Sequence, residues 1–359
     1  MIEPLDSVLA DELLAGQLDL MRFEAHVRVR VLAILTRLQR ELVGLLAGDE
    51  LTAFSKVRTE TLLKQTKAVI DRYYTTAAAE LSGAMASAAQ ASASNAGSAL
   101  GSAFSVQLAG GLPTETFLAR IVSNVLLQGA ASADWWSRQQ SDIAFRFANA
   151  VRQGIVAGET NEEIAIRIAG STRKGVTGVM EVARSNARSL VHTSIQAVAN
   201  AARLETLRKN SRILKSVVWL ATLDGSTCPE ICGPRDLKEY TLMDDPPQPI
   251  GHALDWNGGP GAVHWGCRCV VTGKRKTFAE LGDPTMKEPP PMTRASIYGP
   301  VSGNTNFEQF LNRRGKKFQE DVLGKGRAQL WRDGKLTLQQ LLDLRGNPLS
   351  LEQLQAKYG

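Results

Sequence analysis

The sequence has four cysteines and four histidines in 359 residues, and all four cysteines lie between Cys228 and Cys269. Cys228 and Cys232 stand in Cys-Pro-Glu-Ile-Cys, and after 31 further residues His264, Cys267 and Cys269 follow in His-Trp-Gly-Cys-Arg-Cys. Thiolate and imidazole are the donors of structural zinc sites, in which two short ligand pairs close a tetrahedron. Here Cys228 and Cys232 can make one pair, and the His264 to Cys269 segment the other. Five donors compete for four corners, which leaves two ligand sets open. Either the four cysteines bind with His264 behind them, or His264 joins three cysteines. If residues 267–271 are extended, Cys267 and Cys269 share one side and Arg268 faces the other, towards another surface or an acidic partner. Disulfides, buried free thiols and a catalytic metal are the competing readings. No ligand set leaves an obvious open position beside a general base.

The elements around this cluster read as two strands holding a loop. "SVVWLATL" from Ser216 and "CVVTG" from Cys269 are β-branched and apolar, and the stretch between them is irregular and rich in proline. Upstream the pattern is helical. Leu35, Leu38, Leu42 and Leu45 mark an amphipathic helix over 21–47, and a second helix is expected over about 52–80. Residues 81–114 carry no charge and consist mostly of alanine, serine and glycine. A tightly packed small-residue helix or a flexible linker is the favoured reading there, against a sliding or membrane-active segment. Further helices are expected from Thr114, from Ser132 to Gly158, from a Thr160–Glu163 capping box to Gly170, and from Val176 to Asn210. Trp135 and Trp136 read as core anchors, and His26 and His192 as structural helix residues.

This gives a mainly α fold class with a small α+β, zinc-knuckle-like module and a short helical tail. Its expected segments are a helical region at 1–110, a basic helical domain at 111–212 and the Cys/His module at 213–275. A proline-rich linker at 276–300 and a helical segment at 301–359 complete the chain. The net charge of +6 is uneven, with 14 basic and 7 acidic side chains in residues 120–215. Such a segment suits nucleic acid or an acidic protein surface. The acidic N-terminus lacks a signal-peptide pattern and no apolar run reaches membrane length, so a reducing cytoplasm is expected, where stable disulfides are disfavoured.

The motif residues resemble the Mu-F-like minor head, or head morphogenesis, proteins of tailed bacteriophages. Trp219, Thr222, Asp224, Thr227, Cys228, His264, Cys267, Arg268 and Cys269 match that family's strand tryptophan, its T-x-D-x-x-T-C segment and its closing H-x-x-C-R-C. The arginine-rich helix before the strand and the tail from Phe318 to Leu344 are also similar to family members. Two departures stand out: three residues separate the first cysteine pair instead of two, and Trp265 follows the histidine where proline is usual.

The resemblance implies a non-enzymatic structural component, present in a few copies at the portal vertex, that assists head assembly or DNA packaging. Its implied partners are the portal protein, the major capsid or scaffold protein and packaged DNA, with no membrane. It implies synthesis in the host cytoplasm and residence in the virion head; the cofactor expected from the cysteine and histidine cluster is structural zinc. Arg268, Lys274, Arg275, Lys276, Arg313, Arg314, Lys316 and Lys317 are the candidate DNA or portal contacts. Two other classes compete: a metal-dependent nuclease using His252, Asp255 and Asn257, and a DNA-binding accessory protein using the basic runs, whose binding would weaken steeply with salt.

Overall fold

The computed structural model describes residues 7–48, 56–104, 111–285, 293–343 and 348–359. Two long helices, α1 (Ser7–Gly48) and α2 (Lys56–Phe104), are followed by α3 (Glu115–Asn124) and a small hairpin of β1 (Leu126–Leu127) and β2 (Ala130–Ala131). Helices α4 (Ser132–Val156), α5 (Asn161–Ala169) and α6 (Val179–Lys209) lead into the module, which holds β3 (Leu214–Leu220), α7 (Cys232–Arg235), β4 (Glu239–Thr241) and β5 (Val270–Arg275). A hairpin of β6 (Thr293–Arg294) and β7 (Val301–Ser302) precedes α8 (Phe307–Asn312), α9 (Lys316–Leu323), α10 (Lys325–Arg332) and α11 (Leu351–Tyr358). The fold is mainly α with a few short strands, as the sequence predicts.

By packing, the chain forms two compact units, each assembled from separate stretches. One comprises residues 21–87 and 122–195, and its described residues are mainly helical, with the β1–β2 hairpin and short loops. Its core includes Leu35, Leu38, Leu42 and Leu46 of α1. Leu45, expected in that stripe, is only half-buried. Eleven residues make three turns of a 3.6-residue helix, so Leu46 and not Leu45 returns to the face of Leu35. Trp136 is buried and donates its indole N–H to Tyr74 O at 2.8 Å, while the Trp135 indole donates to Leu127 O. The capping box is present: Glu163 N donates to Thr160 Oγ1 and Thr160 N to Glu163 Oε2. A cap of this kind stabilises by about 1 kcal/mol. His192 Nδ1 lies 3.2 Å from Glu24 Oε2, and His26 Nδ1 faces Arg22 O.

The other unit comprises residues 1–20, 88–121 and 196–359. Leu9 and Leu13 of α1, Ala96, Ala99 and Leu100 of α2, and Leu204 and Leu207 of α6 pack in one core with the module residues Trp219, Tyr240, Trp256, Cys232, Cys267 and Cys269. The alanines explain the uncharged stretch. Its described part, to Phe104, is helical, and small side chains let α1 approach closely: a Cβ on Gly16 would lie 2.3 Å from Asn95 Oδ1. Residues 105–110 of that stretch lie outside the described residues. Among the described residues no helix is long and apolar enough to cross a membrane.

Strand β3 is central and antiparallel to both neighbours, with Val217 opposite Tyr240 of β4 and Val218 opposite Thr272 of β5. The two expected strands therefore pair directly. Strand β4 was not expected, because three residues are too few for a readable period. The tail forms the expected short helices around Phe307, Phe310, Trp331, Leu338 and Leu354. Within the proline-rich stretch, residues 286–292 lie outside the described residues.

Candidate metal centre

Two turns present the donors. After Cys228 the chain folds so that Cys232 N and Gly233 N both donate to Cys228 O at 3.0 Å, which starts α7 and points the Cys232 side chain into the core. In the second turn Cys267 N donates to His264 O, with Gly266 at φ +79°. Gly261 adopts φ +84°, and a Cβ there would lie 2.7 Å from Gln196 O, so the position requires glycine. Its N–H donates to Cys267 Sγ at 3.2 Å.

Three donors converge. Cys232 Sγ lies 3.0 Å from His264 Nε2 and 3.8 Å from Cys267 Sγ, and the three ligand atoms are all within 4.8 Å of one another. His264 Nδ1 lies 2.9 Å from Trp265 O. A carbonyl only accepts, so Nδ1 carries the proton and Nε2 keeps the lone pair that faces the thiols. This is the tautomer and support that metal-ligating histidines use.

The three cysteines Cys232, Cys267 and Cys269 are almost fully buried. Hydrogen bonds from Cys232 and Cys269 hold the Cys267 thiol well below its ordinary pKa, against the opposing effect of burial. Burial, then the contact with Cys267, pushes Cys232 up. A bond from Cys232 pulls Cys269 down, but the Cys267 contact and burial outweigh it and hold Cys269 up. Burial pulls His264 down, yet its hydrogen bond and attraction to Cys267 raise it overall. Of the three buried thiols, Cys267 is the one whose ionised form its neighbours favour, and Cys269 is among those neighbours.

Cys228 is placed differently. Its thiol points at Glu230 Oε2, 3.4 Å away, and burial together with that carboxylate pushes its pKa up to about 11. Glu230 is in turn ion-paired with Arg327.

The donors fit zinc. With Zn–S near 2.3 Å, a tetrahedral site has an S···S edge of roughly 3.8 Å, and the Cys232–Cys267 separation is 3.8 Å. The Cys232–His264 contact is at hydrogen-bond length and would open by about half an ångström on ligation.

The remaining motif residues knit the two turns together. Arg268 Nη2 donates to Asp224 Oδ1 at 2.8 Å. The same carboxylate oxygen accepts from Ser226 N, and Thr227 Oγ1 donates to Thr222 O. Thr222 Oγ1 donates to Arg268 O, which also accepts from Gln17 Nε2. The acidic partner of Arg268 is thus Asp224 of the first motif segment.

The other basic candidates lie apart from the Cys/His cluster. Lys274 pairs with Glu239, Arg275 sits over the Phe278 ring, and Lys276 Nζ donates to Arg212 O. Arg314 lies over Tyr298 and Phe310, Lys316 is 3.8 Å from Glu320, and Arg313 and Lys317 are exposed. His252, the nuclease candidate, has both ring nitrogens engaged by main chain: Nε2 with Glu239 O and Nδ1 with Leu254 N. The Asp255 main-chain oxygen accepts from Arg235 Nε, and Asn257 turns the chain at φ +47°.

Sequence reasoning missed Asn200 of α6. Its Nδ2 donates to Cys269 O and its Oδ1 accepts from Val271 N, so it fastens the second turn to a helix. An asparagine in an alanine-rich helix gives no signal of this. Gly261 had a weak one, the run Gly-Gly-Pro-Gly before Val263.

A mainly helical chain carrying a three-stranded module with buried, convergent cysteine and histidine donors defines the class. Residues 146–272, from α4 through β5, match the family model described as phage Mu protein F like protein. Over that stretch the chain is similar to phage Mu F-like proteins, and the match spans the end of the basic helical region and the Cys/His module. No curated protein and no solved structure matches it.

Proposed function

We propose that this protein is a non-enzymatic structural component of the phage head that associates with the portal vertex and the capsid interior and assists head assembly and DNA packaging. The single observation that carries this reading is the family match over the stretch that builds the Cys/His module. The family's role is one of head morphogenesis, and the long helices offer protein-contact surface of the kind such a role needs.

In this reading the module is stapled by one zinc ion held by Cys232, Cys267, Cys269 and His264. The metal's contribution is to tie the two turns, since binding to a site that the unfolded chain lacks adds directly to folding free energy. Cys232 and His264 each supply one donor from an opposite end of the loop. Gly261 N–H and Trp265 O orient Cys267 and His264. Burial of the cysteines supports a structural centre over one that meets substrate.

The test is a reconstruction of purified procapsids and virions, combined with composition analysis of the heads. The protein is expected at the portal vertex, and heads assembled without it should be fewer or poorly filled. Its absence from heads, or normal yield and filling without it, would overturn the role. Magnesium-dependent plasmid nicking abolished by His252→Ala would replace it with a nuclease.

A further inference from the structure

Two arginines in the module's core have no exposed surface: Arg203 of α6 and Arg235 of α7, both at 0 %. Neither forms an ion pair with a carboxylate among the described residues. Arg203 donates from Nη1 to Asn200 Oδ1 at 3.1 Å, its Nε has no acceptor, and burial pulls its pKa down to about 10. Arg235 donates to Asp255 O and Ile231 O, lies over the Trp219 ring at 5.9 Å, and leaves Nη2 without an acceptor. The exposed Asp255 offers it a main-chain oxygen and not its carboxylate.

The contrast is Arg294, also buried, which the fold matches with the buried carboxylate of Asp236 at 2.9 Å. A guanidinium holds its proton under nearly all conditions, and a buried charge without a counter-charge is strongly disfavoured. Arg203 and Arg235 thus lack the negative charge that Asp236 supplies to Arg294.

Both arginines connect to the Cys/His cluster. Asn200, which accepts from Arg203, donates to Cys269 O at 3.1 Å. Arg235 shares the four-residue helix α7 with Cys232. Three thiolates and a neutral histidine around a divalent ion carry a net charge of about −1. Loading such a centre releases the thiol protons of three cysteines and takes up one M²⁺, so the core becomes more negative by one unit.

We propose that Arg203 and Arg235 are the built-in counter-charges of an anionic metal–thiolate centre formed by Cys232, Cys267, Cys269 and His264, and act as positioning residues that set its affinity for a zinc-class divalent ion. This rests on the zinc reading above. It makes the metal and the arginines interdependent: the metal-free core holds two uncompensated cations, and the single negative charge of the loaded centre, shared between them, offsets part of that excess. A purely structural arginine would stabilise both forms alike.

The test uses the full chain stripped with EDTA, with Zn²⁺ as the probe and a chromophoric chelator as competitor, for wild type, Arg203→Met and Arg235→Met. Each variant is expected to bind Zn²⁺ at least tenfold more weakly. Its metal-free form should have a denaturation midpoint equal to or above wild type, and its zinc-loaded form one below. Co²⁺ substitution should give thiolate charge-transfer bands of wild-type intensity, showing the ligand set intact. Wild-type zinc affinity with equal loss of stability in both forms would overturn the counter-charge assignment and leave the zinc reading standing. Failure of both variants to fold without metal would also overturn it. Absence of zinc binding in the wild type would instead overturn the zinc reading, and this inference with it.

Discussion

Arg268 Nη2 lies 2.8 Å from Asp224 Oδ1, which joins the segment between the last two cysteines to the one that precedes the first. Both side chains are largely covered, at 20 % and 14 % exposure, so solvent screens the pair only in part. A double-mutant cycle with Asp224→Ala and Arg268→Ala should give a coupling energy of about 1–2 kcal/mol, above the value common for surface pairs. Urea denaturation of the four proteins measures it, and a coupling near zero would reduce the pair to a surface contact.

The Asp236–Arg294 pair ties the β6 hairpin to the module. Asp236 also accepts from Ala221 N, and Arg294 donates to Ala221 O and Thr305 O. Removing one partner strands a buried charge, so Arg294→Met should cost about 3–5 kcal/mol. The midpoint of denaturant unfolding reads this, and replacing Asp236 and Arg294 together by apolar residues should recover a substantial part.

Much of this site was legible in the sequence. The clustering of Cys228, Cys232, Cys267 and Cys269 around His264 exposed the module, and the β-branched runs exposed β3 and β5. Arg268 meets an acidic partner as expected, although β5 begins only at Val270, two residues beyond it. What stayed hidden depends on side chains meeting across long separations. Spacing treats Cys228 and Cys232 as an equivalent pair, yet the tight turn between them sends one thiol into the core and the other towards Glu230. Likewise nothing local marks Asn200, Arg203 or Arg235, because burial of a polar residue is decided by what packs over it. The uncharged stretch was ambiguous because alanine and serine serve a close-packed helix and a linker equally well. Contact with α1 decides for the helix.

Glycine at 261 and at 266 separates two kinds of constraint. Both have positive φ, but a Cβ at Gly261 would meet Gln196 O and Asn200 Nδ2, whereas one at Gly266 meets nothing within 4 Å. Gly266→Ala should therefore cost only about 1 kcal/mol of left-handed strain. Gly261→Ala should cost at least twice that and weaken zinc binding, because it displaces the N–H that supports Cys267. Thermal melts with and without zinc compare the two, and equal losses would contradict the packing argument.

His252 offers a pH test away from the metal donors. Burial lowers its pKa, with the Glu239 carbonyl opposing that shift. The folded state thus binds its proton less readily than the unfolded chain. Its stabilising effect is fully present above the unfolded value of about 6.5 and is lost progressively as pH falls below it. The stability difference between wild type and His252→Gln should shrink from pH 8 to pH 5.5 in urea titrations. A difference that grows on acidification would show that the protonated ring is the favoured form.

The central claim is that a single zinc staples the module through Cys232, His264, Cys267 and Cys269. Native mass spectrometry of the freshly purified full chain measures it most directly. The account predicts one zinc per chain, retained in Cys228→Ser and lost in Cys232→Ser and Cys267→Ser. A folded wild-type protein that carries no metal, or a Cys228→Ser variant that loses zinc while Cys269→Ser keeps it, would contradict it.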